Sequence, residues 1–201
     1  WLHQALASEH ELMGSLFGSD NSAAETAAAP GEEEVWDIAT ILDRIFEGVC
    51  RPFKVRVEQV LSTVPGGMAP GLLLTFRLST LLKFYLSTVR SFIRPEAALF
   101  QTVAECNNLA ERTFYDVLKA KGDKLVRHPP AVSLELAPPA ACSSAVQQLA
   151  ELLDSPDVGM VQDDCAAEFQ PILNAVIDPL LAMCVKCADK LREGWGPTGA
   201  E

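Results

Sequence analysis

The chain has 201 residues, 49% of them apolar and 21% charged; at about 150 residues per domain that is one large domain or two small ones, long enough to bury roughly 70% of its unfolded surface, so global disorder is excluded. Sixteen basic against 27 acidic residues leave a net charge of −11, which argues against nucleic acid as a partner, because phosphate binding needs a cationic surface. Only 7% of residues are aromatic, and Ala and Leu dominate the apolar set, a helix-forming composition.

From Trp1 to Phe17 the apolar residues Leu2, Leu6, Leu12, Met13, Leu16 and Phe17 recur at threes and fours, predicting one amphipathic helix that Gly18 ends. Gly18 to Glu34 (GSDNSAAETAAAPGEEE) has no large apolar residue and reads as a mobile acidic loop. Val35, Ile38, Leu42, Ile45, Phe46, Val49, Phe53, Val57, Val60, Leu61 and Val64 then hold helical spacing for about eight turns. Pro52, preceded by Gly48, predicts a kink or short break within it. Phe53-Lys-Val-Arg-Val-Glu58 alternates like a strand, but the helical period continues on both sides and no second strand is evident to pair with it.

Pro65, Gly66, Gly67 and Pro70 form a turn, and Leu73, Phe76, Leu81, Phe84, Tyr85, Thr88 and Phe92 mark a third helix. Pro95 is placed to open a fourth, from Glu96 to about Arg127, with Gly122 fraying its end. His128 to Ala140 (HPPAVSLELAPPA) is an extended Pro-rich connector. Cys142 to Leu153 is a short helix capped by Ser143 or Ser144. Asp163 or Asp164 opens the last helix, whose apolar face carries Phe169, Ile172, Leu173, Val176, Ile177, Leu180, Leu181, Cys184 and Leu191, with Pro171 tolerated near its start and Pro179 kinking it. Six helices, two of them about 30 residues or ~45 Å long, predict an all-α fold: an elongated antiparallel helical bundle or rod. Residues 1–127, with the acidic loop 18–34, form one part and residues 141–201 another, joined by the connector 128–140 in one continuous rod. The chain opens inside a helical pattern without an initiator Met and reads as a piece of something longer.

Charge is unevenly spread: residues 1–47 carry −9, residues 48–127 carry +6 and residues 128–201 carry −8. The basic middle is the one plausible anion-facing region, and it also balances its acidic neighbours. The basic stripe Arg51, Lys54 and Arg56, beside Phe53 and Val57, is a candidate binding surface for a partner or for anionic lipid headgroups. Six cysteines, at 50, 106, 142, 165, 184 and 187, scatter through helical sequence, which fits a reducing compartment. Cys184-Val-Lys-Cys187 has the spacing of a zinc or redox pair. It lies late in an amphipathic helix with no further ligands at suitable spacing, and Cys184 continues the apolar face, so the pair reads as core. His3 and His10 share one helix face but read as exposed polar residues, and Asp163-Asp164 as a cap. No signal peptide is evident, the longest apolar run, Leu72 to Phe92, is broken by Arg77, Lys83 and Arg90, and no nucleotide, hydrolase or zinc-protease motif is present. Neither a catalytic site, a cofactor nor a metal is expected.

Four blocks carry a resemblance: Trp1 to Glu9 (WLHQALASE), Glu47 to Val60 (EGVCRPFKVRVEQV), Leu81 to Tyr85 (LLKFY) and Asp178 to Cys184 (DPLLAMC). In this order they resemble the family of subunit 6 of the conserved oligomeric Golgi complex, in the central part of a longer subunit, and the Glu-Gly-Val-Cys-Arg-Pro core is the most specific. The resemblance implies a helical-rod subunit of a multisubunit tethering complex. Such a subunit lies peripherally on the cytosolic face of Golgi membranes and helps capture vesicles in retrograde intra-Golgi transport through sister subunits and SNARE proteins. Arg51, Lys54 and Arg56 then become candidate partner contacts, with Trp1 and Leu2 as a surface cut from a preceding helix. The alternatives are a Cys-based metal or redox module at Cys184 and Cys187 and a peripheral lipid-binding helical domain.

Overall fold

The computed structural model describes residues 2–17, 38–62, 71–131, 138–154 and 165–194. Among them it forms six helices and no strand: α1 Leu2–Phe17, α2 Ile38–Ser62, α3 Leu72–Arg90, α4 Ala98–Arg127, α5 Ala140–Leu153 and α6 Cys165–Gly194. The fold is all-α. The acidic loop, Trp1, Asp163, Asp164 and most of the Pro-rich connector lie outside the described residues.

Helical period decides the one ambiguous stretch. A strand would put Phe53, Val55 and Val57 on one face, whereas in α2 Val57 is buried, Phe53 packs on the core and Val55 is 41% exposed. Pro52 lies inside α2, and Pro171 and Pro179 inside α6. Buried Thr75 and Thr80 in α3 turn their hydroxyls back onto the carbonyls of Leu72 and Phe76, at 2.9 and 3.1 Å, so no buried hydroxyl there is left without a partner.

The chain divides into two compact units that share α3 and α4. In the first, α1, α2, the C-terminal part of α3 and the N-terminal part of α4 enclose Leu6, Leu42, Phe46, Val89, Ile93, Leu99 and Val103. The ring of His3 lies 5.9 Å from that of Tyr85, and His10 5.5 Å from Phe92. Equal steps along both segments mean that α1 and α3 run parallel. Asp43 and Lys54 of α2 likewise meet Ala98 and Glu105 of α4 in rising order, so α2 and α4 run parallel too.

Helix α4 starts at Ala98 rather than at Pro95, and the reason is tertiary. The Asp43 carboxylate of α2 accepts a 2.8 Å hydrogen bond from the Ala98 N–H, supplying an acceptor for an N-terminal donor that lacks one within the helix, while residues 91–97 form the preceding turn.

In the second unit the start of α3, the rest of α4, α5 and α6 enclose Leu72, Phe76, Phe114, Val117, Leu118, Leu152 and Ile172. Phe76 meets Phe114 and Phe169 at ring distances of 5.5 and 6.3 Å. Helix α5 begins at Ala140, ahead of Ser143 and Ser144; Pro139 occupies the cap position without a side-chain bond. Gly122 does not fray α4: a Cβ there would stand 2.8 Å from Cγ of Pro179, so this glycine is where α4 and α6 approach closely.

Candidate interaction surfaces

Helix α2 turns Leu42, Phe46, Val57 and Leu61 inward at helical spacing, which sets the azimuth of every other residue on it. At about 100° per residue, Arg51 and Lys54 are ~60° apart, while Arg56 lies ~140° from Arg51 and ~160° from Lys54. All three are exposed, but they form no stripe. Lys54 is ion-paired with Glu105 at 2.7 Å. Its ammonium is held above the ordinary lysine value, first by the hydrogen bond from Nζ to that carboxylate and then by the carboxylate's charge. Arg51 instead shares the outward face with half-exposed Val55, one helical turn further on.

An outward apolar surface lies on α6. Ile172, Met183 and Cys187 are buried, whereas Ile177, Leu181 and Val185 are 41%, 59% and 60% exposed. Those three recur every fourth residue, so they form one stripe. Ile177 and Leu181 belong to the apolar set that the sequence assigns to this helix, and α6 is apolar around more of its circumference than is buried. Both α3 and the Phe169–Glu193 part of α6 are long and apolar enough to cross a bilayer by length and composition, which corrects the expectation that no such run exists. Buried Leu72, Phe76 and Val89 of α3, and Ile172 and Met183 of α6, nevertheless serve the two cores.

The thiols divide by environment. Cys106 is buried in the first unit and pushed up to about 11, chiefly by burial, with the Lys54 ammonium opposing. Cys50 Sγ donates to the Phe46 carbonyl at 3.6 Å. In the second unit the expected roles within Cys184-Val-Lys-Cys187 are corrected: Cys187 is the core residue, its Sγ 3.8 Å from the Pro130 carbonyl, and Cys184 is exposed. Helical geometry turns the two about 60° apart. Burial, and then nearby Cys184, hold the Cys142 thiol of α5 above its ordinary value. His3 and His10 pack against Tyr85 and Phe92 separately instead of lining one polar face. Among the described residues no three His, Cys, Asp or Glu side chains are grouped to hold a metal. The cavity among Leu72, Leu118, Leu149 and Val176 has a volume of about 30 Å³, and a wider, more open hollow of about 260 Å³ is lined by Lys121, Lys124, Leu125, Ala141, Ser144 and Gln148.

Fold and surface together define an all-α helical-bundle protein with apolar side chains left on outward helix faces. The chain belongs to the family of subunit 6 of the conserved oligomeric Golgi complex, since the family's sequence model, described as "Conserved Oligomeric Golgi complex subunit 6, C-terminal", matches residues 1–198. That places the match in the C-terminal region of the subunit and corrects the expected central position. The Conserved oligomeric Golgi complex subunit 6 of Arabidopsis thaliana is 39% identical over 196 residues, covering 94% of this chain and 28% of the relative. The Homo sapiens protein of the same name is 36% identical over 193 residues, covering 95% and 27%, and that of Cryptococcus neoformans is 32% identical over 201 residues, covering 96% and 26%. The chain therefore spans little more than a quarter of the length of these relatives. No solved structure matches it.

Proposed function

We propose that this chain is part of a non-catalytic scaffold subunit of a Golgi vesicle-tethering complex. The subunit sits peripherally on the cytosolic face of the Golgi membrane and works in retrograde intra-Golgi transport, held through contacts with sister subunits and SNARE proteins. Family membership supports the setting. The stripe Ile177, Leu181 and Val185 carries the mode of action: one face of α6 is spent on the core while another leaves large aliphatic side chains in water, which is how a helix offers its side to a partner helix. Arg51 with Val55 on α2 is a second, smaller contact of the same kind. Because Arg56 points elsewhere and Lys54 is paired with Glu105, the block is better suited to a protein contact than to a lipid sheet, which needs its cations on one side.

The test is to place Ile177→Glu, Leu181→Glu and Val185→Glu in the full-length subunit and to measure recovery of sister subunits and of SNARE proteins, with circular dichroism confirming helix content. Truncating one interface anchor costs about 2 kcal/mol or more, roughly thirtyfold in affinity, so the triple variant is expected to lose its partner. Arg51→Glu with Lys54→Glu is expected to weaken recovery less. Undiminished recovery and vesicle capture in both variants would overturn the assignment of these faces.

A further inference from the structure

Helix α2 carries a glycine for which the described chain supplies no reason. Gly48 lies in the helix interior, where glycine is destabilising relative to alanine. It is exposed, and a Cβ built on it would meet nothing within 4 Å, whereas a Cβ on Gly122 would strike Pro179. The backbone of α2 is therefore bare on its outer side. The side chains around it there are apolar. At about 100° per residue, Val55 lies ~20° from Gly48 on one side, and Pro52 and Ile45 lie ~40° and ~60° from it on the other. Ile45 and Val55 are 45% and 41% exposed, and the Pro52 ring faces solvent. Arg51 and Arg56 stand at opposite edges of this face, ~60° and ~80° from Gly48. Both are exposed and, among the described residues, neither forms an ion pair. The acids of α2, Asp43, Glu47 and Glu58, lie ~80° or more from Gly48 beyond Arg51, so none falls between the two arginines on this face.

We propose that the outer face of α2 centred on Gly48 seats one α-helix of a sister subunit, which crosses at the bare glycine and carries Asp or Glu on both borders of an aliphatic stripe. This rests on the scaffold reading and names the geometry and charge of one of its contacts. The missing side chain lets the second helix come to the near end of the ~8–10 Å range of interaxial distances. Ile45, Pro52 and Val55 then close over its aliphatic residues, and Arg51 and Arg56 present their guanidinium forks to its carboxylates. Charge selects among occupants. A second copy of this chain, related by a two-fold axis, would set one arginine-edged face against another. A flat lipid surface would reach only one of the two arginines at a time, because they are ~140° apart around α2. A helix with acidic borders meets both at once. The glycine then stabilises the complex rather than the chain that contains it.

The experiment places Gly48→Ala and Gly48→Leu separately in the full-length subunit and follows urea midpoints and recovery of each sister subunit. A photo-crosslinking side chain in place of Val55, in the assembled complex, reports what lies on the face. Neither substitution meets an obstacle within 4 Å of the new Cβ, and both replace glycine by a better helix former, so the midpoint is expected to hold or rise. Recovery of one sister subunit is expected to fall at least about tenfold for Gly48→Leu and less for Gly48→Ala, and the crosslink to enter an Asp- or Glu-bearing helix of that same subunit. Arg51→Ala with Arg56→Ala is expected to weaken recovery at about 0.1 M salt and to match the unsubstituted protein at about 1 M, where screening shortens to about 3 Å. A lowered midpoint in Gly48→Leu, undiminished recovery of every sister subunit, a crosslink only to lipid or to a second copy of this chain, or an arginine effect indifferent to salt would each overturn the proposal. If Gly48→Leu keeps its partners while the α6 triple variant loses one, this site falls and the scaffold reading stands; if both keep them, that reading falls as well.

Discussion

The two units are built from the same ingredients and use them in opposite ways. In the first, the glycine associated with a proline lies in the same helix: Gly48 is one turn before Pro52 in α2, and nothing stands within 4 Å of where its Cβ would be. In the second, glycine and proline face each other across helices, Gly122 of α4 against Pro179 of α6. The thiols differ in the same sense, since Cys50 and Cys106 of the first unit are spent locally or enclosed, while Cys187 of the second reaches out of α6 to the Pro130 carbonyl. A residue type therefore carries no fixed structural meaning in this chain; what stands opposite gives it one.

The largest expected effect belongs to the enclosed thiol. Cys106 is raised from 9.0 to about 11 in the folded chain, so between those values the native state keeps a proton that the unfolded chain has lost. Its stability is intact below pH 9, falls as pH rises from 9 toward 11, and changes no further above. At about 1.4 kcal/mol per unit the loss is about 2–3 kcal/mol. Urea midpoints measured across this range are expected to drop, and Cys106→Ala to flatten the slope even though it lowers stability overall. An unchanged slope would show that the site is wetter than its packing indicates.

Next come the two glycines, which the same substitution should push in opposite directions. In Gly122→Ala the new Cβ would meet Pro179 Cγ at 2.8 Å and Cβ at 3.2 Å. A proline ring cannot swing aside, so α4 and α6 must separate, at a cost of about 1–3 kcal/mol. Adding Pro179→Ala removes the nearest atom, Cγ, and leaves Cβ at 3.2 Å, so the double variant is expected to recover part of the loss, a coupling readable in a double-mutant cycle. Gly48→Ala meets open space in a helix interior and is expected to stabilise by about 0.4–1 kcal/mol through the unfolded chain. If both alanines shift the midpoint the same way, the contrast between the units is wrong.

How much of this could be read from the chain follows from the range of the forces involved. The helices were legible because the 3.6-residue period and the Gly and Pro breaks act within a few residues: Leu42, Phe46, Val57 and Leu61 mark the inner face of α2 without any knowledge of what covers it. Contacts set by the partner helix were not. Nothing local says that Asp43 will cap α4 fifty-five residues away, that Gly122 will meet Pro179, or that Cys187 rather than Cys184 will be the enclosed thiol. The exposed stripe on α6 was not legible for a related reason, since periodicity finds an apolar face but cannot say how much of it neighbours cover. Arg51, Lys54 and Arg56 are close in the chain but do not share one helix face, because adjacency in sequence is not adjacency around a helix.

The smallest effect is expected at the ion pair between Lys54 and Glu105, whose two side chains are 46% and 59% exposed. In water such a pair gains little, because solvent and salt screen it and two long side chains must be held in one geometry. Lys54 is raised in the folded chain, so whatever it contributes is fully present below the unfolded value and is lost only as pH climbs through the folded one, in the alkaline range. Glu105→Gln is accordingly expected to leave the neutral-pH urea midpoint unmoved while the Lys54 Nζ titration, followed by NMR, falls back toward the ordinary lysine value. This separates two roles that a charge reversal would confuse. If Glu105→Gln weakens recovery of sister subunits, by freeing Lys54 or by removing a carboxylate the partner uses, the α2–α4 flank is itself a contact surface; if recovery holds and Arg51→Glu alone lowers it, the contact is the outward face that Arg51 shares with Val55.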